Sequence, residues 1–589
     1  MFKIFKYLRA RDLWLVLAGL ALIVCQVWLD LKLPEYMGGI TKLVETEGSD
    51  IGQIWAAGGS MLLCAFGSLT AAVLVGFFMA KIAASFSMRL REKLFDKTLS
   101  FSMAEMNHFS ISSLITRSTN DITQIQMLIT MGMAAIVKAP ILAIWALLKV
   151  TSKSWEFSAA TGVAIAFIAI VVAVIIVFAL PKYKKIQRLT DGLNRVTSEN
   201  LTGLRVVRAF HAEDYQEEKF EKVNSKLTNT NLFAARIMAI MQPSMTIVVS
   251  GLSLAIYWIG AYLIQSAGGM DKMNNFTDMV VFSSYAVQIV MAFLMLSLVF
   301  FMLPRVSVSA KRINEVLDMP LVIEDGSVSD GLSDAKAAIE FRNVSFRYPD
   351  AEDYVLKNIN FEVNKGETVA FIGATGSGKS TLVNLIPRLY DTSTGEVLVD
   401  GVNVKEYALE RLNDKLGYVS QQAVLFSGTI ASNVAYGGDA EPTEQQGEIQ
   451  SSLDIAQAME FVGQMEGGIE AQVARGGTNV SGGQKQRLSI ARAIFKKPEI
   501  LIFDDSFSAL DYKTDKMLRN ALANRAGTAT VLIVAQRIGT IMDADKIIVL
   551  DDGAIVGMGT HSELLDSCRI YQEIASSQLT KEELKNGQK

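Results

Sequence analysis

A glycine-rich stretch, GATGSGKST (373–381), lies between an apolar run and a helix-like segment. It satisfies the pattern G-x-x-x-x-G-K-[ST], in which glycines let backbone N–H groups close around phosphates and the helix start adds partial positive charge. Lys379 would reach the β- and γ-phosphates, and the Ser380 hydroxyl would bind Mg²⁺. The sequence therefore predicts a nucleotide-phosphate site whose contacts are Gly373, Ala374, Thr375, Gly376, Ser377, Gly378, Lys379, Ser380 and Thr381.

A second feature with chemical potential is ILIFDDSFSALD (500–511), an apolar run that ends in Asp504 and Asp505. An apolar strand that delivers carboxylates at its tip indicates a metal–nucleotide site. The open question is which carboxylate binds the metal and whether the other acts as a base. Upstream, GGTNVSGGQKQRLSIARA (476–493) opens a helix with small residues, which alone is a weak signal for anion binding.

The chain has 589 residues, which is too long for one ordinary domain. The elements that position these motifs must therefore belong to one of several domains. Half of the residues are hydrophobic, and the apolar stretches crowd into 13–304. Beyond about residue 320, strand-like and helix-like segments alternate as in a soluble α/β protein. The net charge of −4 offers no basic surface for nucleic acid. Three scattered cysteines show no metal spacing or disulfide framework and are interpreted as reduced.

The first half of the chain has the composition of a membrane domain. A helix crosses a bilayer core with roughly 20 apolar residues. Lys and Arg are abundant in 81–121 and 182–236, whereas 35–53 and 265–276 carry one lysine each, so both basic segments and both termini are expected in the cytoplasm. Six spans are predicted, at 13–29, 54–80, 122–148, 157–180, 237–270 and 279–304.

Helical periodicity persists through the two basic segments. We therefore expect the spans to continue into the cytoplasm and to turn near 107–121 and 203–220; solvated loops are the alternative. Within the membrane, Lys138 and Gln288 are costly unless they face a cavity or a partner. The methionines of the sixth span are interpreted either as an adaptable binding surface or as ordinary lipid contacts: Met291, Met295 and Met302.

The order of the motifs resembles that of the ATP-binding cassette transporters, over nearly the whole chain. FRYP would place Tyr348 against the adenine, and GYVSQQAVLFSGTI (417–430) would supply Gln421, which senses Mg²⁺ and the attacking water. VSGGQ (480–484) resembles the signature motif, with Val480 where leucine is commonest. The resemblance implies ATP and Mg²⁺ as cofactors, with further nucleotide contacts from Ser481, Gly482, Gly483 and Gln484 and metal ligands Ser380, Gln421 and Asp504.

Two positions depart from the family pattern. The residue after the metal-binding aspartate is normally a glutamate that acts as general base, and here it is Asp505, whose carboxylate should fall more than about an ångström short. The switch histidine that contacts the γ-phosphate is replaced by Gln536 in TVLIVAQRIGTI (530–541), and His561 is expected at the surface. The catalytic candidates are therefore Asp505, Gln536 and Gln421, in a degenerate site with low turnover.

Six spans in front of one cassette resemble an exporter half-transporter. The resemblance implies one subunit of a heterodimeric multidrug exporter, in which this chain's signature completes the catalytic site of its partner. The alternatives are a homodimeric lipid or peptide exporter, an importer of the same fold, and an ATP-gated regulator or scaffold. Hydrophobic or amphipathic cargo and a bacterial plasma membrane are expected. The predicted fold is a six-helix membrane domain (1–304), a linker (305–337), an α/β nucleotide-binding domain (338–578) and a polar tail (579–589).

Overall fold

The computed structural model describes residues 2–46, 50–151, 155–268, 270–349, 351–438, 444–525 and 529–579. The chain divides into two compact units. The first comprises Met1–Leu99 and Ile111–Asp318, and the second comprises Ser100–Ser110 and Met319–Lys589. Apart from Leu579, the predicted polar tail lies outside the described residues.

The first unit is helical, because a chain in hydrocarbon must satisfy its backbone hydrogen bonds internally. Within the described residues, six helical segments are long and apolar enough to cross a membrane, as predicted. A 3₁₀ turn at Phe2–Tyr7 precedes them, and π-helical turns occur at Arg117–Asp121 and Leu128–Gly132. The helices are α1 (Ala10–Glu45), α2 (Ile51–Leu99), α4 (Ile111–Thr116), α5 (Ile122–Met127), α6 (Met133–Thr151), α7 (Trp155–Thr202), α8 (Leu204–Ala209), α9 (Glu213–Ala239), α10 (Met241–Ser266) and α11 (Met270–Leu317).

The longest of these helices extend beyond the thickness of a bilayer. α2 has 49 residues and α7 has 48, against the roughly 20 that a span requires. The second turn lies at residues 203–212, inside the predicted 203–220. The first turn lies at 100–110, so most of the predicted 107–121 is helical. α11 continues to Leu317, so residues 305–317 of the predicted linker are helical as well.

The second unit combines two main sheets with short helices. A four-stranded antiparallel sheet has the order β2-β1-β4-β5, and a six-stranded sheet has the order β12-β11-β3-β10-β9-β6, parallel except for β12. β7 and β8 form a separate pair. The strands are β1 (Ala337–Phe346), β2 (Leu356–Asn364), β3 (Thr368–Gly373), β4 (Thr394–Val399), β5 (Val402–Asn403), β6 (Leu416–Val419), β7 (Gly428–Thr429), β8 (Gln472–Val473), β9 (Ile500–Asp504), β10 (Thr530–Val534), β11 (Lys546–Asp551) and β12 (Ala554–Gly559).

The helices of this unit cover the six-stranded sheet, so its central strands read as continuous apolar runs. They are α3 (Met103–His108), α12 (Lys379–Asn384), α13 (Leu409–Asp414), α14 (Ile430–Val434), α15 (Gln446–Ile455), α16 (Met459–Val462), α17 (Gly482–Phe495), α18 (Tyr512–Arg525), α19 (His561–Ser567) and α20 (Arg569–Gln578). Every residue of β9 is buried. The carboxyl ends of β3, β9 and β10 meet at one edge, because Val534 is in register with both Phe371 and Asp504.

The segment Ser100–Ser110 between α2 and α4 belongs to this second unit. Ala104 of α3 packs against the apolar core, and Asn107 Nδ2 donates to the Tyr390 hydroxyl at 3.1 Å. The Glu105 carboxylate accepts from the backbone N–H of Val322. One of the two turns between long helices is thus held by the α/β unit through both apolar and polar contacts.

His561 corrects an expectation, since it is buried rather than at the surface. Only 5% of the residue is exposed, and its Nδ1 lies 2.6 Å from the hydroxyl of Tyr571, which is fully buried. Burial lowers the pKa of His561, against a smaller opposing effect of Asp543. The surface expectation failed because the sequence places His561 at a helix start after Thr560, without showing that α20 folds back over it.

We expect the local stability of α19 and α20 to fall below pH 6.5. When this region opens, His561 regains its ordinary pKa of about 6.5 and takes up a proton that the folded state resists. The stabilisation is therefore complete above that pH and is lost as pH falls, by at most ~1.4 kcal/mol per pH unit. Hydrogen exchange of 561–578, corrected for intrinsic rates, should show wild type losing protection from pH 8 to 5.5, with a smaller loss in His561→Gln.

His108→Gln is the matched control, because His108 is exposed on α3. It should leave the pH dependence of exchange in 561–578 unchanged. Equal pH dependence in wild type and His561→Gln would show that another group is responsible.

Candidate nucleotide-binding site

The predicted phosphate loop joins β3 to α12 at the edge where the parallel strands end. Gly378 is the residue before the helix and has a φ of +94°, in the left-handed region. A Cβ there would lie 2.8 Å from Leu356 Cδ2, so both conformation and space require glycine. At Gly376, φ is +89° and a Cβ would meet nothing within 4 Å, so this side of the loop is open to a ligand.

Lys379 and Ser380 lie in the first turn of α12. The Lys379 ammonium donates to the carbonyls of Gly373 at 2.9 Å and Ala374 at 2.8 Å, and burial lowers its pKa while Asp505 and Asp504 oppose that shift. The Ser380 hydroxyl donates to Asp504 Oδ1 at 2.7 Å. The phosphate loop and the tip of β9 are therefore in direct contact.

The donor set at this edge fits Mg²⁺, which prefers oxygen ligands such as hydroxyls and carboxylates. Ser380 and Asp504 present two such oxygens side by side. Burial raises the pKa of Asp504, and the neighbouring Asp505 adds to the shift. A bound divalent cation would offset both effects and keep the carboxylate ionised. Ser380 and Asp504 would hold the ion, which would supply positive charge to stabilise the phosphates of a bound nucleotide.

Asp505 is held by two amides. Its Oδ2 accepts from Gln536 Nε2 at 2.7 Å and from Gln421 Nε2 at 3.3 Å. The residue has a φ of +49° and is 8% exposed. Burial is the main reason that the pKa of Asp505 is raised. The structure thus brings together the three residues that the sequence predicted as catalytic candidates.

A cleft of about 350 Å³ lies over this cluster. Two of its lining residues, Val355 and Val534, were not predicted. Val355 precedes β2 and carries no polar signature, so no motif in the sequence points to it. The predicted residues that line the cleft are Thr375, Gly376, Gly378, Lys379, Ser380, Thr381, Gln421, Asp505 and Gln536.

The signature residues lie elsewhere on the unit. Ser481 caps α17, its side chain accepting from the N–H of Gln484 at 3.3 Å while Gln484 Oε1 accepts from the N–H of Ser481 at 2.9 Å. Ser481 and Gly482 are exposed, and neither lines the cleft. The Ser481–Gln484 helix start therefore lies outside the cleft of this chain's own nucleotide loop.

Tyr348 packs edge-on against Phe346 and Tyr390, with ring centroids 5.0 and 5.2 Å apart. Its hydroxyl lies 3.0 Å from Thr381 Oγ1, so the ring is next to the phosphate loop. Stacking of Tyr348 on adenine stays a prediction.

Comparisons with known proteins show the family to which this chain belongs. The family model for the ABC transporter matches residues 356–508, and that for the ABC transporter transmembrane region matches 16–293. The ABC transporter ATP-binding protein YfiB of Bacillus subtilis is 35% identical over 99% of both chains. An ABC transporter ATP-binding protein of Mycobacterium tuberculosis is 40% identical over 88% of this chain and 87% of that protein.

Two further comparisons are with a lipid flippase and with a solved structure. The ATP-dependent lipid A-core flippase of Pseudomonas aeruginosa is 33% identical over 83% of this chain and 79% of the flippase. A bacterial Atm1-family ABC exporter, solved with ATP bound, has the same fold, with a TM-score of 0.78, 24% identity and coverage of 96% and 99% of the two chains. With six apolar helices followed by one nucleotide-binding unit, this chain belongs to the ATP-binding cassette transporters and is an exporter half-transporter.

Proposed function

We propose that this chain is one subunit of a heterodimeric exporter and that its own nucleotide site turns ATP over slowly. ABC transporters couple ATP hydrolysis to transport, so the rate at each site depends on the group that positions the attacking water. The observation that carries the proposal is the pairing of Asp505 with Gln536, at the two positions where the family has glutamate and histidine. The cargo is hydrophobic or amphipathic, and the membrane is a bacterial plasma membrane with the nucleotide domain and termini in the cytoplasm.

The activity of Asp505 as a general base is limited by the reach of its side chain and not by its basicity. The raised pKa of Asp505 makes its carboxylate a stronger base than an exposed aspartate. The side chain is one methylene shorter than that of glutamate. Its carboxylate also accepts hydrogen bonds from the amides of Gln536 and Gln421, which fix its position. Misplacement by about 1 Å costs roughly a hundredfold in rate. The carboxylate keeps its charge and loses its position.

Gln536 weakens the site in a second way. A glutamine can donate a hydrogen bond to a γ-phosphate, but it cannot become charged or exchange a proton as histidine does. Its Nε2 already donates to Asp505, so the γ-phosphate must compete for the same amide. The two replacements therefore reinforce each other at one phosphate.

The signature motif supports a role for a second, different subunit. In the family, each ATP lies between the phosphate loop of one cassette and the signature of the other. Ser481, Gly482 and Gly483 are positioned at an exposed helix start, where backbone N–H groups favour anions. This chain would complete a competent site in a partner that carries the glutamate and the histidine, and would bind ATP tightly at its own loop.

A homodimeric lipid exporter is the second candidate. The specific observation in its favour is the similarity to ATP-dependent lipid A-core flippases. In that case Asp505 and Gln536 suffice for turnover, and two identical sites share the work.

We expect Asp505→Glu combined with Gln536→His to raise ATP turnover at this site by about ten- to a hundredfold, because the longer carboxylate regains its reach. The measurement is Mg-ATP hydrolysis by the purified assembly, with the competent site of its partner inactivated. Asp566→Glu, an exposed Asp-to-Glu change on α19, should leave turnover unchanged. Unchanged turnover in the double variant would contradict the impairment.

A tagged chain, purified gently from its native membrane, should bring with it a different half-transporter at a one-to-one ratio. Mass measurement of the intact assembly identifies the partner, whose sequence is expected to have glutamate and histidine at the two positions changed here. Recovery of this chain alone, active as a homodimer, would instead establish the second candidate.

A further inference from the structure

Polar side chains from four helices meet around Asp30, which directly follows the predicted span 13–29, while the other three residues lie within predicted spans. Lys138 of α6 forms an ion pair with Asp30 of α1, with Nζ 3.1 Å from Oδ2. The Ser68 hydroxyl of α2 donates to Asp30 Oδ1, and Gln288 Nε2 of α11 donates to the Asp30 carbonyl at 3.2 Å. We call these four residues the Asp30 cluster.

Such a cluster is expensive in a membrane-spanning segment. Charges in the hydrocarbon region lose their hydration, and intramembrane ionisable residues mark cargo or ion pathways for that reason. Two apolar side chains would join α1 to α6 without this cost. The pair is also not sealed by its own chain, because the Asp30 and Lys138 side chains are 23% and 19% exposed.

The charges near the cluster favour an anion. Both carboxylate oxygens of Asp30 have a partner, whereas Asp30 is the only acceptor recorded for the Lys138 ammonium within the described residues. One turn further along α1, Glu35 binds Lys32 at 2.6 Å and Lys149 at 2.7 Å. The Lys138 ammonium carries three donor hydrogens, so it can also donate to an anionic ligand.

An acceptor and an apolar surface adjoin Lys138. Gln288 Oε1 is buried and has no hydrogen-bond partner within the described part of the chain. Met291 and Met295 follow Gln288 at i+3 and i+7, on the same face of α11, and are 52% and 37% exposed. Methionine adapts its shape to varied apolar ligands. The polar Asp30 cluster is therefore continuous with an apolar surface on α11.

We infer that the Asp30 cluster binds the anionic group of an amphipathic cargo, with the apolar part of the cargo along Met291 and Met295. The inference rests on the proposed export of amphipathic compounds and adds the sign of their charge. The phosphate or carboxylate of the cargo replaces Asp30 as the partner of Lys138. Asp30 then competes with the cargo for Lys138. When no cargo is bound, Asp30 holds the Lys138 ammonium in place.

This competition gives the two members of the pair opposite effects. Lys138→Gln should weaken binding of an anionic amphiphile by about tenfold or more, because the attracting charge is lost. Asp30→Asn should tighten it severalfold, because Lys138 is released from its competitor. Lys138→Arg should bind the anion nearly as wild type does. If the ion pair only joined α1 to α6, Lys138→Gln and Asp30→Asn would weaken anion binding equally.

The probes are pyrene-labelled dodecyl phosphate, dodecyl carboxylate and dodecyl trimethylammonium, bound at equilibrium to the purified full-length assembly in nanodiscs without nucleotide. Wild type should bind both anions more tightly than the cation. An effect of Lys138→Gln on both anions identifies any amphipathic anion as cargo, and an effect on the phosphate alone identifies a phosphate headgroup such as that of a lipid. Lys149→Gln, on the same helix and paired with Glu35, is the matched control and should have a much smaller effect.

Folding of each variant is checked by tryptophan fluorescence, because all six tryptophans lie in the first unit. Asp30→Asn with Lys138→Gln carries no unpaired charge and should fold while losing the preference for anions. Binding is measured without ATP, so failure of the heterodimer or of slow turnover would leave these results unaffected. Tighter binding of the cation, equal weakening by Asp30→Asn and Lys138→Gln, or no change in either would overturn the inference.

Discussion

The hydrogen bond from Ser380 to Asp504 joins two pieces of chain that are 124 residues apart, and the nucleotide site depends on it. It forms because β3 and β9 end at the same edge of a parallel sheet, with β10 between them. A hydroxyl and a carboxylate are thereby brought to the distance at which one Mg²⁺ ion can bind both. The same edge receives Gln536 after β10, so three sequence-distant motifs become one cleft.

The activity of the cleft depends on the exact position of its side chains. Asp505 has the charge and the basicity of a catalytic carboxylate, yet hydrogen bonds from two side-chain amides fix the position of that carboxylate. Its left-handed backbone, with a φ of +49°, is a conformation that aspartate tolerates better than most residues. The proposed division of labour between two subunits follows from these short-range contacts, whereas the fold would serve an active site equally well.

The membrane unit obeys the rule that buried charges need partners. Arg89 binds Asp12, and Arg312 lies 3.3 Å from Asp121, which also accepts from Ser309. These pairs join segments far apart in sequence, at the parts of the helices that carry basic residues. The Asp30 cluster differs from them in its position, because Ser68, Lys138 and Gln288 lie within predicted apolar spans.

The sequence by itself determined the features that are local in the chain: the phosphate loop, the aspartates at the strand tip, the replacement at Gln536, and six spans from apolar length alone. Each depends on neighbours within one or two turns or one strand, so a motif or a period reveals it. Only the tertiary structure decided which side chains meet. It paired Lys138 with Asp30 and Gln536 with Asp505, buried His561 under Tyr571, and assigned α3 to the α/β unit. Those outcomes depend on how helices and strands distant in sequence pack together, and no local pattern encodes that packing.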